Sequence, residues 1–253
     1  MHNPHFPENP AVSWIRIPGT RHRQAQQPSE DVVYQFISED CLFWGLADGQ
    51  SGTAYGAEGG RAALEAVSAC IQSMGIGNFL NTPFPDELPC TLTHAYRKRL
   101  LQLAESRSCP LKEFSSTLLA IALDRKTGNY GLIHLGDGCA VGIPVTGDPI
   151  LLSAPENGLS ACQTWLTTSE SAVSHLRIRY GSLETKKRIL LFSDGAACFC
   201  KGRNIPWRAK TLLTQGTRSQ LAAHLTQSNP ADDATCILLE MAGKDPSAEN
   251  LPF

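Results

Sequence analysis

STLLAIALDRKTGNYGLIHLGDGCAVGIPVTGDPILLS, residues 116–153, reads as four short strands in succession. Ser116 to Leu123 is an apolar run that turns at Lys126-Thr127-Gly128-Asn129 into Tyr130 to Leu135. Asp137-Gly138 turns that strand into Cys139 to Pro144, and Gly147-Asp148-Pro149 leads into Ile150 to Ser153. Connections this short join antiparallel neighbours. The stretch is a β-meander.

Working outward, Val32 to Ser38 and Cys41 to Ala47 form a second hairpin across Glu39-Asp40. Arg61 to Met74 carries Leu64, Val67, Ile71 and Met74 on one helical face, and Leu88 to Ser106 repeats the pattern with Leu92, Tyr96, Leu100 and Leu103. Residues 75–85 are a Gly/Pro-rich break, and 154–184 carry mixed signals. Ile189 to Phe192 reads as a buried strand, with a helix beginning in Gly195 to Gly202. Residues 207–227 read as one or two helices, and Thr235 to Met241 as a closing strand. Helices falling between hairpins, without regular βαβ alternation, suit antiparallel sheets with helices packed outside, an α+β chain. An extended N-terminal segment is expected over residues 1–10, one domain over 11–243 and a polar tail over 244–253.

Four aspartates sit at the mouths of apolar runs: Ala47-Asp48-Gly49, Gly136-Asp137-Gly138, Ser193-Asp194-Gly195 and Asp232-Asp233-Ala234. Each alone reads as a turn or as solvated charge. A carboxylate at a strand end points outward from a sheet rim, with glycine freeing the next backbone position. Converging carboxylates repel one another unless a cation lies between them, and oxygen-only donors favour magnesium or manganese over zinc. His134 lies inside a strand and reads as packed. Ser193 lacks the Gly-x-Ser-x-Gly elbow of a nucleophile and reads as orienting the neighbouring carboxylate.

A hydrophobic share of 42%, a charged share of 18% and a net charge of −2 describe a soluble globular chain without a general attraction to nucleic acid or membrane. Nine scattered cysteines include no CxxC pair, and Cys198-Phe199-Cys200 has the wrong spacing for a zinc clip, so free thiols in a reducing cytoplasm are expected. No run approaches the ~20 apolar residues that span a bilayer.

The order of these pieces resembles the PP2C-type metal-dependent serine/threonine protein phosphatases. The matching segments are Gly45-Leu46-Ala47-Asp48-Gly49-Gln50-Ser51-Gly52, Ser116-Thr117-Leu118-Leu119-Ala120, His134-Leu135-Gly136-Asp137-Gly138, Leu191-Phe192-Ser193-Asp194-Gly195 and Asp232-Asp233-Ala234-Thr235. Gly19-Thr20-Arg21-His22 and Pro28-Ser29-Glu30-Asp31 look like the opening of a bacterial branch. The resemblance implies a four-layer α/β/β/α sandwich of two antiparallel sheets. It implies hydrolysis of phosphoserine or phosphothreonine in a protein, itself the target of a kinase, by a hydroxide bridged between two Mn²⁺ or Mg²⁺ ions. Asp48, Asp194 and Asp232 become the catalytic metal ligands, with Glu30 and the Gly49 carbonyl beside them and Asp137 on a third ion. Asp31 and Asp233 stand behind them, the ligand role remaining open between Asp232 and Asp233.

Two positions depart from the family pattern. Gln26 stands where many relatives carry a phosphate-gripping arginine, which points to His22 with Arg21 or Arg23 instead. Gln50 stands where some carry a histidine acid, and glutamine has no proton to give at useful pKa. Those departures also suit a phosphatase-like binding module with weak turnover. A hydrolase of small phosphoesters is a further alternative.

Overall fold

The computed structural model describes residues 10–157 and 164–241. The extended opening expected over 1–10 (apart from Pro10) and the tail expected over 244–253 lie outside them. In chain order the elements are β1 (Ala11–Ile17), α1 (Thr20–Ala25), β2 (Asp31–Ile37), β3 (Cys41–Asp48), α2 (Gly56–Met74), α3 (Ile76–Leu80) and α4 (Leu88–Arg107). There follow β4 (Leu118–Asp124), β5 (Asn129–Leu135), β6 (Cys139–Pro144), β7 (Ile150–Ser153), α5 (Ala172–His175) and β8 (Arg177–Ser182). The chain continues through β9 (Lys186–Phe192), α6 (Trp207–Gln215), α7 (Arg218–Gln227) and β10 (Ala234–Glu240).

Two five-stranded sheets result, in the orders β1-β10-β9-β6-β7 and β2-β3-β4-β5-β8. Their described pairings are all antiparallel. The four strands of residues 116–153 therefore do not form one meander. β4 and β5 belong to one sheet, β6 and β7 to the other, and the chain crosses between them at Gly136-Asp137-Gly138. Strands apolar on both faces carry no polar row to mark which sheet they join. Gly136, at φ +115, makes the crossing turn.

The sheets pack face to face through alternate residues. Leu42, Trp44 and Leu46 of β3, with Leu119, Ile121 and Leu123 of β4, meet Ile189, Leu191, Ile237 and Leu239 of the second sheet. The opposite face of β3 and β4, through Phe43, Ala47, Ala120 and Ala122, lies under α2 and α4, which supply Leu64, Val67, Ile71, Leu92, Tyr96 and Leu100. On the far side Val141, Leu190, Phe192 and Leu238 lie under Leu213, Leu221 and Leu225 of α6 and α7. These layers are the four-layer α/β/β/α sandwich. At about 1.5–3 kcal/mol per fully buried large side chain, the three interfaces are the main favourable term holding the sheets in place.

Several local expectations differ from the result. β1 and α1, in the stretch left without an element, frame one side of the acidic region. β8 completes a sheet from the segment with mixed signals. The helix expected from Gly195 is only a 3₁₀ turn at Asp194–Ala196, and the Gly/Pro-rich break holds the short α3.

Candidate metal centre

β3 delivers Asp48 to the sheet rim, directly opposite Asp31 of β2 in the register. Thr117 holds it there from both sides. Its Oγ1 accepts from the Asp48 N–H at 2.9 Å, and its own N–H donates to the Asp48 carbonyl at 2.9 Å. Asp194 opens the turn after β9, and Asp232 stands just before β10. Asp137 occupies the crossing between sheets. Asp48, Asp137, Asp194 and Asp232 line one cleft of about 300 Å³, together with Gly49, Gln50, Ser51, Thr117, Thr164 and Leu166.

Asp-Gly here serves close approach more than backbone freedom, because neither Gly49 nor Gly195 has positive φ. A Cβ on Gly49 would stand 2.8 Å from the Ala57 nitrogen, and one on Gly195 2.1 Å from the Asp233 carbonyl oxygen. The chain segments bearing the carboxylates are packed too tightly for any side chain.

The cluster disfavours its own ionisation. Burial, then the charges of Asp31 and Asp194, push the Asp48 carboxyl well above the usual range. Burial raises Asp194 as well, against a hydrogen bond shared with Asp48. Asp137 is pushed up to about 6 by burial and by Asp194. Asp31, buried behind Asp48, rises to about 8 through burial, although Ser193 Oγ donates to its Oδ2 at 2.9 Å. Ser193 thus serves Asp31, and not the adjoining Asp194 as its position suggests.

Asp232 and Asp233 separate cleanly. Asp232 faces the cleft, whereas Asp233 is buried and turned the other way. Asp233 accepts from the Gly19 N–H at 2.6 Å and the Glu30 N–H at 2.6 Å, and its Oδ1 lies 2.8 Å from His22 Nδ1. Burial alone would raise its carboxyl, but these donors and Ser29 hold it below the usual range. Asp233 is the anchor that fastens the start of β10 to the segment before β2.

The three basic candidates fall into different places. His22 is buried between Asp233 and Glu30, its Nε2 3.7 Å from Glu30 Oε2. Arg23 donates to Asn229 Oδ1 at 2.6 Å and to the Pro18 carbonyl, an outer staple away from the cleft. Arg21 alone of the three reaches the cleft lining, with Nη2 donating to Ser51 Oγ at 2.7 Å. Glu30 opens toward an adjoining pocket with Ala54 to Glu58, and its buried Oε2 has no hydrogen-bond partner. Gln26 sits at the C-cap of α1 with φ 54, exposed. His134 is buried, with Nδ1 2.7 Å from Ser153 Oγ, and lies outside the cleft lining.

Thr164 and Leu166 were not legible as site residues. They come from the segment between β7 and β8, which bridges at Asn157 and Thr164 and is sewn to Ser116 by the Thr167 N–H at 2.9 Å.

Among the described residues no three His, Cys, Asp or Glu side chains are set to hold an ion together as they stand. The charge of Asp194 bears directly on Asp48 and opposes its ionisation. The donor chemistry nonetheless fits a hard divalent cation: four carboxylates and Gly49 line the cleft, and among the described lining residues there is no thiol, imidazole, lysine or arginine. The buried, unpartnered Oδ1 of Asp31 fits it too.

The family profile for "Protein phosphatase 2C" matches residues 18–240. Among curated protein sequences none matches significantly. Among solved structures the chain is similar to a bacterial serine phosphatase, at 15% identity and a TM-score of 0.68, covering 94% of this chain and 100% of that one. It is also similar to the serine/threonine phosphatase Stp1 from Staphylococcus aureus, at 14% identity and a TM-score of 0.65, covering 93% and 96%. The catalytic domain of the serine threonine protein phosphatase PstP, in complex with two manganese ions, aligns at 16% identity and a TM-score of 0.60, covering 91% and 97%.

Proposed function

The chain belongs to the protein phosphatase 2C family, and from that membership we propose that it is a Mn²⁺- or Mg²⁺-dependent phosphatase acting on phosphoserine or phosphothreonine in a bacterial cytoplasmic protein. The observation that carries the reading is the convergence of Asp48, Asp137, Asp194 and Asp232 on one cleft. Asp48, Asp194, Asp232 and the Gly49 carbonyl would hold two ions, Asp137 a third, and Glu30 would serve the second from the side. Bound there, divalent ions lower the pKa of water to near neutrality and offset charge on phosphoryl oxygens.

The chain's own residues supply position and exclusion. Thr117 fixes the Asp48 backbone, and Asp31 backs its carboxylate. Asp233, through Gly19, His22 and Glu30, keeps Asp232 aimed into the cleft. Arg21, steadied by Ser51, is the guanidinium placed to grip a substrate phosphate at the rim. Gln50 lines the cleft but cannot protonate a leaving alkoxide, so aryl phosphates should turn over much faster than alkyl phosphates.

The test is manganese-dependent release of phosphate from a phosphothreonine peptide, compared with Asp194→Asn. Release that stops with EDTA and collapses in the variant is expected. Tight binding of the peptide without release would make the chain a binding module. Release confined to small phosphoesters would make it a general phosphoesterase.

A further inference from the structure

α4 carries apolar surface outside the face that packs on the sheet. Tyr96, Leu100 and Ala104 belong to the core under the helix and are buried. One residue further round, Leu101 is 47% exposed, where the flank of a surface helix is ordinarily polar. α5 packs against α4 and adds Val173, itself 39% exposed. The two helices together line a groove of about 630 Å³, with buried Thr93 at its base and the exposed His94 and Lys98 at its margin.

The groove is pre-formed, and its charge is one-sided. Arg97 Nη1 donates to the Ser169 carbonyl at 2.9 Å, which ties α4 to the segment leading into α5. Among the described residues neither Arg97 nor Lys98 forms an ion pair, although the whole chain carries a net charge of −2. The one carboxylate of the lining, Glu105, stands about two turns beyond Lys98. Unneutralised cations therefore flank exposed apolar side chains in a concave site.

We propose that this groove docks an acidic amphipathic helix of a protein partner. Apolar side chains one turn apart on that helix seat against Leu101 and Val173, and carboxylates beside them meet Lys98 and Arg97. A nucleic-acid backbone offers charge without an apolar stripe, and a lipid surface is flat where this site is hollow. A protein segment answers to both properties. No residue of the groove lines the acidic cleft, so the docking does not depend on the phosphatase reading. Because the walls are already held, little ordering of this chain opposes the binding.

The experiment follows the fluorescence anisotropy of a labelled helical peptide, leucines along one face and glutamates on either side of them. Versions with glutamine or lysine in place of glutamate are the controls. Saturable binding of the glutamate peptide is expected, at least about tenfold tighter than the glutamine peptide, with none for the lysine peptide. Lys98→Glu and Leu101→Ser should each weaken it by about tenfold or more, one by reversing a complementary charge and the other by removing the apolar anchor. Both positions are exposed, so melting temperature and any aryl-phosphate turnover should stay at the parent's values. Should one variant melt early, the other decides. No binding, equal binding of the three peptides, or an affinity unmoved by either substitution overturns the proposal. So does binding of phosphatidylglycerol vesicles, or dimerisation in sedimentation, that Leu101→Ser abolishes, because a membrane or a second copy would then occupy the groove. Absence of phosphate release from the parent would defeat the phosphatase reading and leave the peptide result standing.

Discussion

Asp232 and Asp233 are chain neighbours with opposite surroundings, and substitutions should separate them. Asp48→Asn and Asp194→Asn are each expected to lower kcat by at least ~10²-fold, the scale for losing a principal electrostatic stabiliser. Asp232→Asn should fall in the same class, while Asp137→Asn acts more mildly and raises the manganese concentration needed. Asp233→Asn should instead lower stability in urea by on the order of 1.5–3 kcal/mol, because it weakens charge-assisted bonds to Gly19, His22 and Glu30. Equal, small losses across the series would return all of them to the status of turn residues. For the basic trio, Arg21→Ala should raise KM for a phosphopeptide with kcat little changed, whereas Arg23→Ala should register in the melting curve alone. Steady-state kinetics and calorimetry on the two variants check this. His22 shows where sequence reading ran out at this scale: flanked by two arginines it reads as a phosphate contact, yet it is buried against an aspartate far along the chain, Asp233.

At the level of elements, the interior strands and the edge strands β2 and β7 were legible, and the edge strands β1 and β8 were not. β3, β4, β5 and β9 are apolar runs bounded by turn residues, a pattern that survives any tertiary context. β1 and β8 lie at sheet edges and mix Arg16, Arg177 and Arg179 with half-exposed apolar residues, so nothing local distinguishes them from loop. The assignment of β6 and β7 to the second sheet was likewise beyond local pattern, since only their pairing with β9 decides it. The carboxylate positions could be read because strand ends announce themselves; the covering segment with Thr164 and Leu166 could not, having neither period nor turn signature. The tight seating of Gly195 yields a prediction at this scale. Gly195→Ala places a methyl 2.1 Å from the Asp233 carbonyl and should cost about 1–3 kcal/mol as strands shift to relieve the clash. Activity should fall with it, because the displaced segments hold Asp194 and Asp232. A variant that unfolds and turns over like the parent would show that the packing there is loose.

For the molecule as a whole, the acidic cluster ties stability to pH and to divalent ions. Asp31 at about 8 and Asp137 at about 6 keep protons that the unfolded chain, with an ordinary aspartate value of 3.8, has already released. The folded state binds more protons across that window, so unfolding free energy declines as pH rises. The contribution is full below about pH 4 and is lost through roughly pH 6 to 8. Ions that favour the charged carboxylates should reverse this, raising stability by about 2.7 kcal/mol at a hundred times their dissociation constant. Melting curves in EDTA and in Mn²⁺ at acid and alkaline pH test both signs. A metal-induced shift that is the same in Asp194→Asn would place the ion elsewhere. The pairing of β1 with β10, Ala11 opposite Glu240 and Ile17 opposite Ala234, bears on how the molecule comes into being. On the ribosome β1 emerges early and stays without its hydrogen-bonding neighbour until β10 clears the exit tunnel. Asp232 and the Asp233 anchor emerge together with β10. A nascent chain therefore carries Asp48 and Asp194 without a finished cleft until β10 has emerged and paired.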